Sequence, residues 1–179
     1  MNMKNILFTF FVILFSFNAQ AQENQSKNYF DLKSFIAEQV EKLEKINPSV
    51  EKSTTHNSEI ENKTTNEIDW QKELQLFVDS DINKAILKDA YKITENAQTI
   101  DYQALILDLK VQNIHIEKEN GVVKKLNIVY KDSNNLFEIE KKLQLELSKN
   151  YITNYQIEII QKIIFKDRDH YKVSGKILP

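Results

Sequence analysis

The side chains with the most chemistry to offer are three histidines, an acidic triplet and a Ser-Gly step. His56, His115 and His170 lie far apart, with no His-x-x-x-His pair and no glutamate at metalloprotease spacing, so no zinc site is expected from them. His115 alternates with Asn113 and Glu117, which reads either as a polar trio on one strand face or as the solvent-facing side of a sheet. Asp79-x-Asp81-x-Asn83 begins like a calcium loop, whose oxygens at alternate positions wrap the ion. The match then ends. Lys84 stands where that loop needs glycine for its sharp turn, and Ala90 where it needs a bidentate glutamate. Helix capping accounts for these aspartates better. Ser174-Gly175 lacks the rest of a G-x-S-x-G nucleophile elbow, and no carboxylate pair for acid–base work can be picked out by spacing. No catalytic residue, metal site or cofactor is expected, and the chain does not read as an enzyme.

Composition narrows the classes further. The 179 residues are 41% hydrophobic and 28% charged, with two glycines, two prolines and no cysteine. Without cysteine there is no disulfide scaffold and no thiol nucleophile, and two glycines cannot furnish a Gly-rich phosphate loop. The net charge of -2, with Arg168 as the only arginine, gives no electrostatic footprint for nucleic acid, so no nucleic-acid partner is expected.

The N-terminus reads as an address. Lys4 precedes an apolar run, Ile6 to Phe17, in which only Thr9 and Ser16 are polar, and Ala19-Gln20-Ala21 follows. The run is shorter than the roughly 20 apolar residues a membrane span needs, and its layout is that of a secretory signal peptide cut after Ala21. The domain reading is therefore signal peptide 1–21, disordered lead-in 22–28 and a single domain 29–179. No stable membrane span remains after cleavage, so a soluble protein of the periplasm or extracellular space is expected. The Asn/Lys/Ile-rich composition suits a bacterial envelope protein.

Three elements of helical period come first. Leu32, Phe35, Ile36, Val40 and Leu43 form one apolar stripe, capped by Asp31 and stopped by Asn47-Pro48. The polar stretch 50–65 reads as a hairpin turning at His56-Asn57-Ser58, with Val50 and Ile60 as its only core anchors; a mobile edge hairpin or a plain loop remains open. Asp69 caps a second helix with Trp70, Leu74, Phe77 and Val78 on one face, which breaks at Asp79-Ser80-Asp81. Asp81 then caps a short third helix running out near Ala90.

From Tyr91 the period becomes two. Strands are expected at 91–94, 100–105, 111–118, 122–131, 136–148, 155–165 and 171–177, with Asn120-Gly121 the strongest hairpin signal. The fold class is α+β: an antiparallel meander sheet of about six or seven strands, curling toward an open half-barrel, covered by two or three N-terminal helices. Trp70 and Phe77, with the inward sheet aromatics Phe137, Tyr155, Phe165 and Tyr171, either line a lipophilic cavity between helix and sheet or fill a dry core.

Tyr29-Phe30-Asp31-Leu32-Lys33, Asp69-Trp70-x-Lys72-Glu73-Leu74 and Asp81-Ile82-Asn83-Lys84 occur in an order that resembles a group of small exported proteins of Bacteroidetes-type genomes. The resemblance implies export and a common fold and carries no activity. Many of that group are lipid-anchored through a cysteine, which this chain lacks. In outline the helix-plus-sheet plan is also similar to periplasmic lipoprotein carriers. The functional expectation is a non-catalytic binding or carrier protein whose partner is an apolar small molecule or an envelope protein. The alternative is an interaction module docking an envelope partner through a sheet edge or the 50–65 hairpin, and an uncharacterised enzyme is the third reading.

Overall fold

The computed structural model describes residues 29–178, so the expectations for 1–21 and 22–28 lie outside the described residues. Helix α1 (Leu32–Ile46) is capped as its sequence implies: Asp31 accepts from Ser34 N at 3.2 Å, and Asn47 closes the other end in the left-handed region at φ 45°. Leu32, Ile36, Val40 and Leu43 bury its apolar stripe, while Phe35 stays half-buried against the Phe30 ring. Gln39 is buried among them.

Nine strands follow: β1 (Val50–His56), β2 (Glu59–Thr65), β3 (Tyr91–Glu95), β4 (Thr99–Ala104), β5 (Val111–Glu119), β6 (Val122–Ser133), β7 (Phe137–Ser148), β8 (Tyr151–Ile163) and β9 (Asp169–Ile177). They form one open antiparallel sheet in the order β2-β1-β9-β8-β7-β6-β5-β4-β3. The sheet therefore exceeds the expected six or seven strands because the 50–65 hairpin belongs to it. β1 pairs along its whole length with β9, from Val50 opposite Ile177 to His56 opposite Tyr171. Val50 is buried, but Ile60 is exposed, so the hairpin is held by the ladder and not by two core anchors.

The short helices also differ from expectation. The second helix is two pieces, α2 (Trp70–Glu73) and α3 (Gln75–Asp79). Phe77 N bonds Leu74 O at 3.0 Å, a three-residue contact that tightens the chain there. The third helix is a 3-10 turn, Ala85–Leu87, with no side-chain cap. Asp81 does not cap it: its carboxylate accepts from the Asn83 side chain, and Lys84 is extended.

One sheet face is apolar and covered. The row Gly175, Tyr155, Leu145, Leu126, Ile116, Ile100 crosses six adjacent strands and is buried throughout. It packs with α1, Trp70, Leu74 and Phe77 in one hydrophobic core. The opposite face is polar: Asp101, His115, Asn127, Gln144, Gln156, Ser174 and Ser53 stand side by side along a single row. This is the alternation expected of an antiparallel sheet with one wet face.

The two ends of the sheet differ. The β3–β4, β5–β6 and β7–β8 connections share one end, here called the polar end; the β1–β2, β4–β5, β6–β7 and β8–β9 connections share the other. Tyr29 sits at that second end, its hydroxyl donating to Leu87 O and accepting from Ala90 N. α1 runs from there to the polar end, where Lys42 Nζ donates to Asn150 O at 2.9 Å. No helix among the described residues is long and apolar enough to cross a membrane.

Candidate functional site

A third row on the covered face leads out from under the helices. His56, Tyr171, Ile159, Lys141, Tyr130 and Val111 are neighbours across β1, β9, β8, β7, β6 and β5. Apart from buried Val111, the side chains here are only partly covered: His56 stacks on Tyr171 at 4.3 Å, and the Lys141 ammonium lies 4.4 Å above the Tyr130 ring. Where this row meets residues 76–87, a pocket of about 400 Å³ opens. Its volume falls in the range of small-molecule sites.

The pocket has an apolar floor and a charged rim. Leu76, Leu87, Tyr91, Leu109, Val111 and Tyr130 are buried or half-buried, whereas Asp79, Lys84, Asp108 and Lys110 are exposed. Polar atoms of the floor are already engaged. Tyr91 donates its hydroxyl to Val111 O at 2.9 Å, and burial pushes that phenol up to about 12. Ser80 donates to Leu76 O, and Tyr130 to Asp132. Burial also raises the Tyr130 phenol, so each tyrosine remains a neutral donor at ordinary pH. At the rim Lys110 bonds Asp132 at 2.7 Å, which holds its ammonium charged. Such a floor offers apolar contact area with its hydroxyls already committed, and suits an apolar body.

The loop beside the pocket is held in place. Gln112, the extra residue of a bulge in β5, donates to Leu107 O at 3.0 Å and also to Leu109 O. Asn83 clips the entrance of α1, accepting from Tyr29 N and donating to Phe30 O at 2.9 Å. The third oxygen of the calcium-like triplet is thereby committed to the backbone of another segment.

The six aromatics read from the sequence do not share one site. Trp70, Phe77 and Tyr155 are buried, with Trp70 edge-on to Tyr155 at 6.1 Å. Phe137 is half-buried at the start of β7, and Tyr171 is partly exposed against His56. Phe165 is not an inward strand residue: β8 ends at Ile163, and Phe165 turns into the left-handed region at φ 61° with its side chain 98% exposed. None of the six lines the pocket.

A polar cluster inside the covered face went unread in the sequence. Glu73 accepts from the Tyr155 hydroxyl at 2.7 Å and pairs with Lys52 at 2.6 Å, both charged side chains being largely shielded. Burial, and then the Glu73 charge, raise the Tyr155 phenol far above its ordinary value. Tyr155 leans across Gly175, where a Cβ would fall 2.1 Å from its ring. Each Glu73 oxygen takes one of these bonds, so the cluster ties α2 to β1 and β8 through a single carboxylate. The available signal was Lys52 itself, a charge two residues from Val50 and hence on the core side of β1.

The histidines are paired separately. His115 Nδ1 lies 2.7 Å from Asp101 on the polar face, His170 Nε2 lies 2.8 Å from Glu158, and His56 is 3.6 Å from Asp169. Among the described residues no three His, Asp or Glu side chains converge to hold a metal ion. The free edge strand β2 exposes Glu59, Glu61 and Lys63, charges that keep other strands off an edge. Compared with protein-family models, curated proteins and solved structures, the chain finds no match in any of the three.

Proposed function

We propose that this is an exported, non-catalytic binding or carrier protein of the bacterial envelope, which holds an apolar small molecule between the sheet and residues 76–87. The observation that carries the reading is the pocket of about 400 Å³ with an apolar floor whose polar atoms are already hydrogen-bonded. A floor of that kind favours hydrocarbon over a polar metabolite, because its hydroxyls are committed to Val111 O, Leu76 O and Asp132 and replace little of the water a polar group would lose. Lys84, Lys110 and Lys141 near the opening would suit an acidic head on such a ligand, with Asp79, Asp81 and Asp108 balancing them in its absence. The signal-like leader supports export, and the exported group resembled by the sequence agrees with it.

Titration with a fluorescent fatty acid tests the reading. Binding near one molecule per chain is expected, with Leu109→Trp, which fills the floor, weakening it at least ten-fold while the melting temperature stays within a few degrees. Equal affinity in the Leu109→Trp variant would refute the site. The charged outer edge of β2 gives the alternative, docking of a partner strand, less support.

A further inference from the structure

Exposed large apolar side chains are concentrated at the end of the sheet opposite the polar end. Leu105, Ile106 and Leu107 lie between β4 and β5, Leu136 between β6 and β7, and Ile164 and Phe165 between β8 and β9. These three loops succeed one another along the sheet, because their strands do: β9, β8, β7, β6, β5, β4. Neighbouring loops are thus two strand spacings, about 10 Å, apart. Ile164 N bonds Leu136 O at 2.9 Å, which locks two of them together. Ile86, also fully displayed, stands over the adjoining pocket.

We propose that this row of loop tips is a docking surface for a lipid bilayer. Three features select a bilayer. The apolar groups are separate protrusions, with Leu107 at 89% and Phe165 at 98% exposure, and hydrocarbon can receive each one singly, whereas a folded partner would need a matching pocket for every tip. Around Phe165, the cations Lys162, Lys166 and Arg168 are matched by the carboxylates Glu138, opposite Lys162 in the ladder, Asp167 and Asp169, so the turn carries no net charge to repel a headgroup layer. Lastly, the described chain starts at this end, and the apolar run Ile6–Phe17 lies just upstream. The eleven residues 18–28 reach at most about 40 Å when extended, so a membrane-inserted leader keeps this end close to the bilayer before it is cut. The surface is independent of whether the pocket is filled.

The absence of native cysteine makes the test direct, since one introduced cysteine takes one label. The protein, recovered from the envelope of an exporting host, carries an environment-sensitive dye at Phe165→Cys, at Leu107→Cys or, on the polar end, at Asn120→Cys. Vesicles of phosphatidylethanolamine and phosphatidylglycerol are then added. Blue shifts at 165 and 107 with none at 120 are expected. In cosedimentation, the Leu107→Ser/Phe165→Ser pair should weaken binding at least ten-fold at unchanged melting temperature, and Lys166→Glu/Arg168→Glu several-fold. Equal shifts at both ends, binding untouched by the serine pair, or no vesicle binding by the parent protein would each overturn the proposal.

Discussion

The two ends of the sheet are built from the same ladder, and asparagines close turns at both, Asn57 at φ 54° and Asn134 accepting from Leu136 N and Phe137 N at the second end, but only that end adds exposed apolar loop tips. At the polar end the reversals are tight and their residue types follow from backbone geometry: Asn120 and Gly121 at φ 51° and 79°, Lys149 and Asn150 at φ 50° and 68°, and Asn96 accepting from Gln98 N and Thr99 N. Residues that tolerate the left-handed region or cap a turn are what such hairpins require. At the opposite end Leu105–Leu107, Leu136 and Phe165 meet no such requirement. Phe165 even holds φ 61°, a strained setting for a bulky side chain, while fully exposed. Side chains that neither close a turn nor fill a core, gathered beside the pocket, point to use outside the fold.

Several substitutions would break or sharpen that contrast. Gly175→Val should cost the most, about 3 kcal/mol or more in a urea titration, because its side chain would enter the Tyr155 ring that Glu73 holds in place. Gly121→Ala should cost about 1 kcal/mol through backbone strain alone, as nothing lies within 4 Å of the added carbon. Phe165→Gly should act the other way, raising stability by about 0.5–1 kcal/mol while it weakens vesicle binding, a trade of stability against use. Leu107→Ser should change stability by less than about 0.5 kcal/mol. If the loop-tip substitutions destabilise as much as Gly121→Ala, the two ends do not differ in the way described.

Alkaline pH probes both regions together. Tyr91 under the pocket and Tyr155 in the core have phenols raised by burial. A neutral acid whose folded value is raised contributes its full stability below the unfolded value near pH 10 and loses it as pH rises through the folded value. Chemical-denaturation midpoints should therefore hold to about pH 10 and fall above it, for Tyr91 over the interval up to about 12. Tyr155→Phe should lessen that fall.

Much of this was legible in the residues. The α1 stripe with its Asp31 and Asn47 ends, the change of period at Tyr91 and the Asn120-Gly121 hairpin are local signals, and local chemistry sets those elements. The union of β1 with β9 was not legible, because it joins segments more than a hundred residues apart and leaves no trace in either one's period. The end of β8 was misread because Ile163 and Phe165 keep an inward parity in sequence while the backbone turns at Ile164. The pocket escaped for a related reason: Leu109, Val111 and Tyr130 meet residues 76–87 only through tertiary packing.

Native mass spectrometry of the protein purified gently from the cells that make it, before and after organic extraction, tests the central claim most directly. A bound, extractable mass near one per chain, absent from the Leu109→Trp variant, is predicted. A clean apo mass in both proteins, together with no uptake of added fatty acid, would contradict the carrier reading.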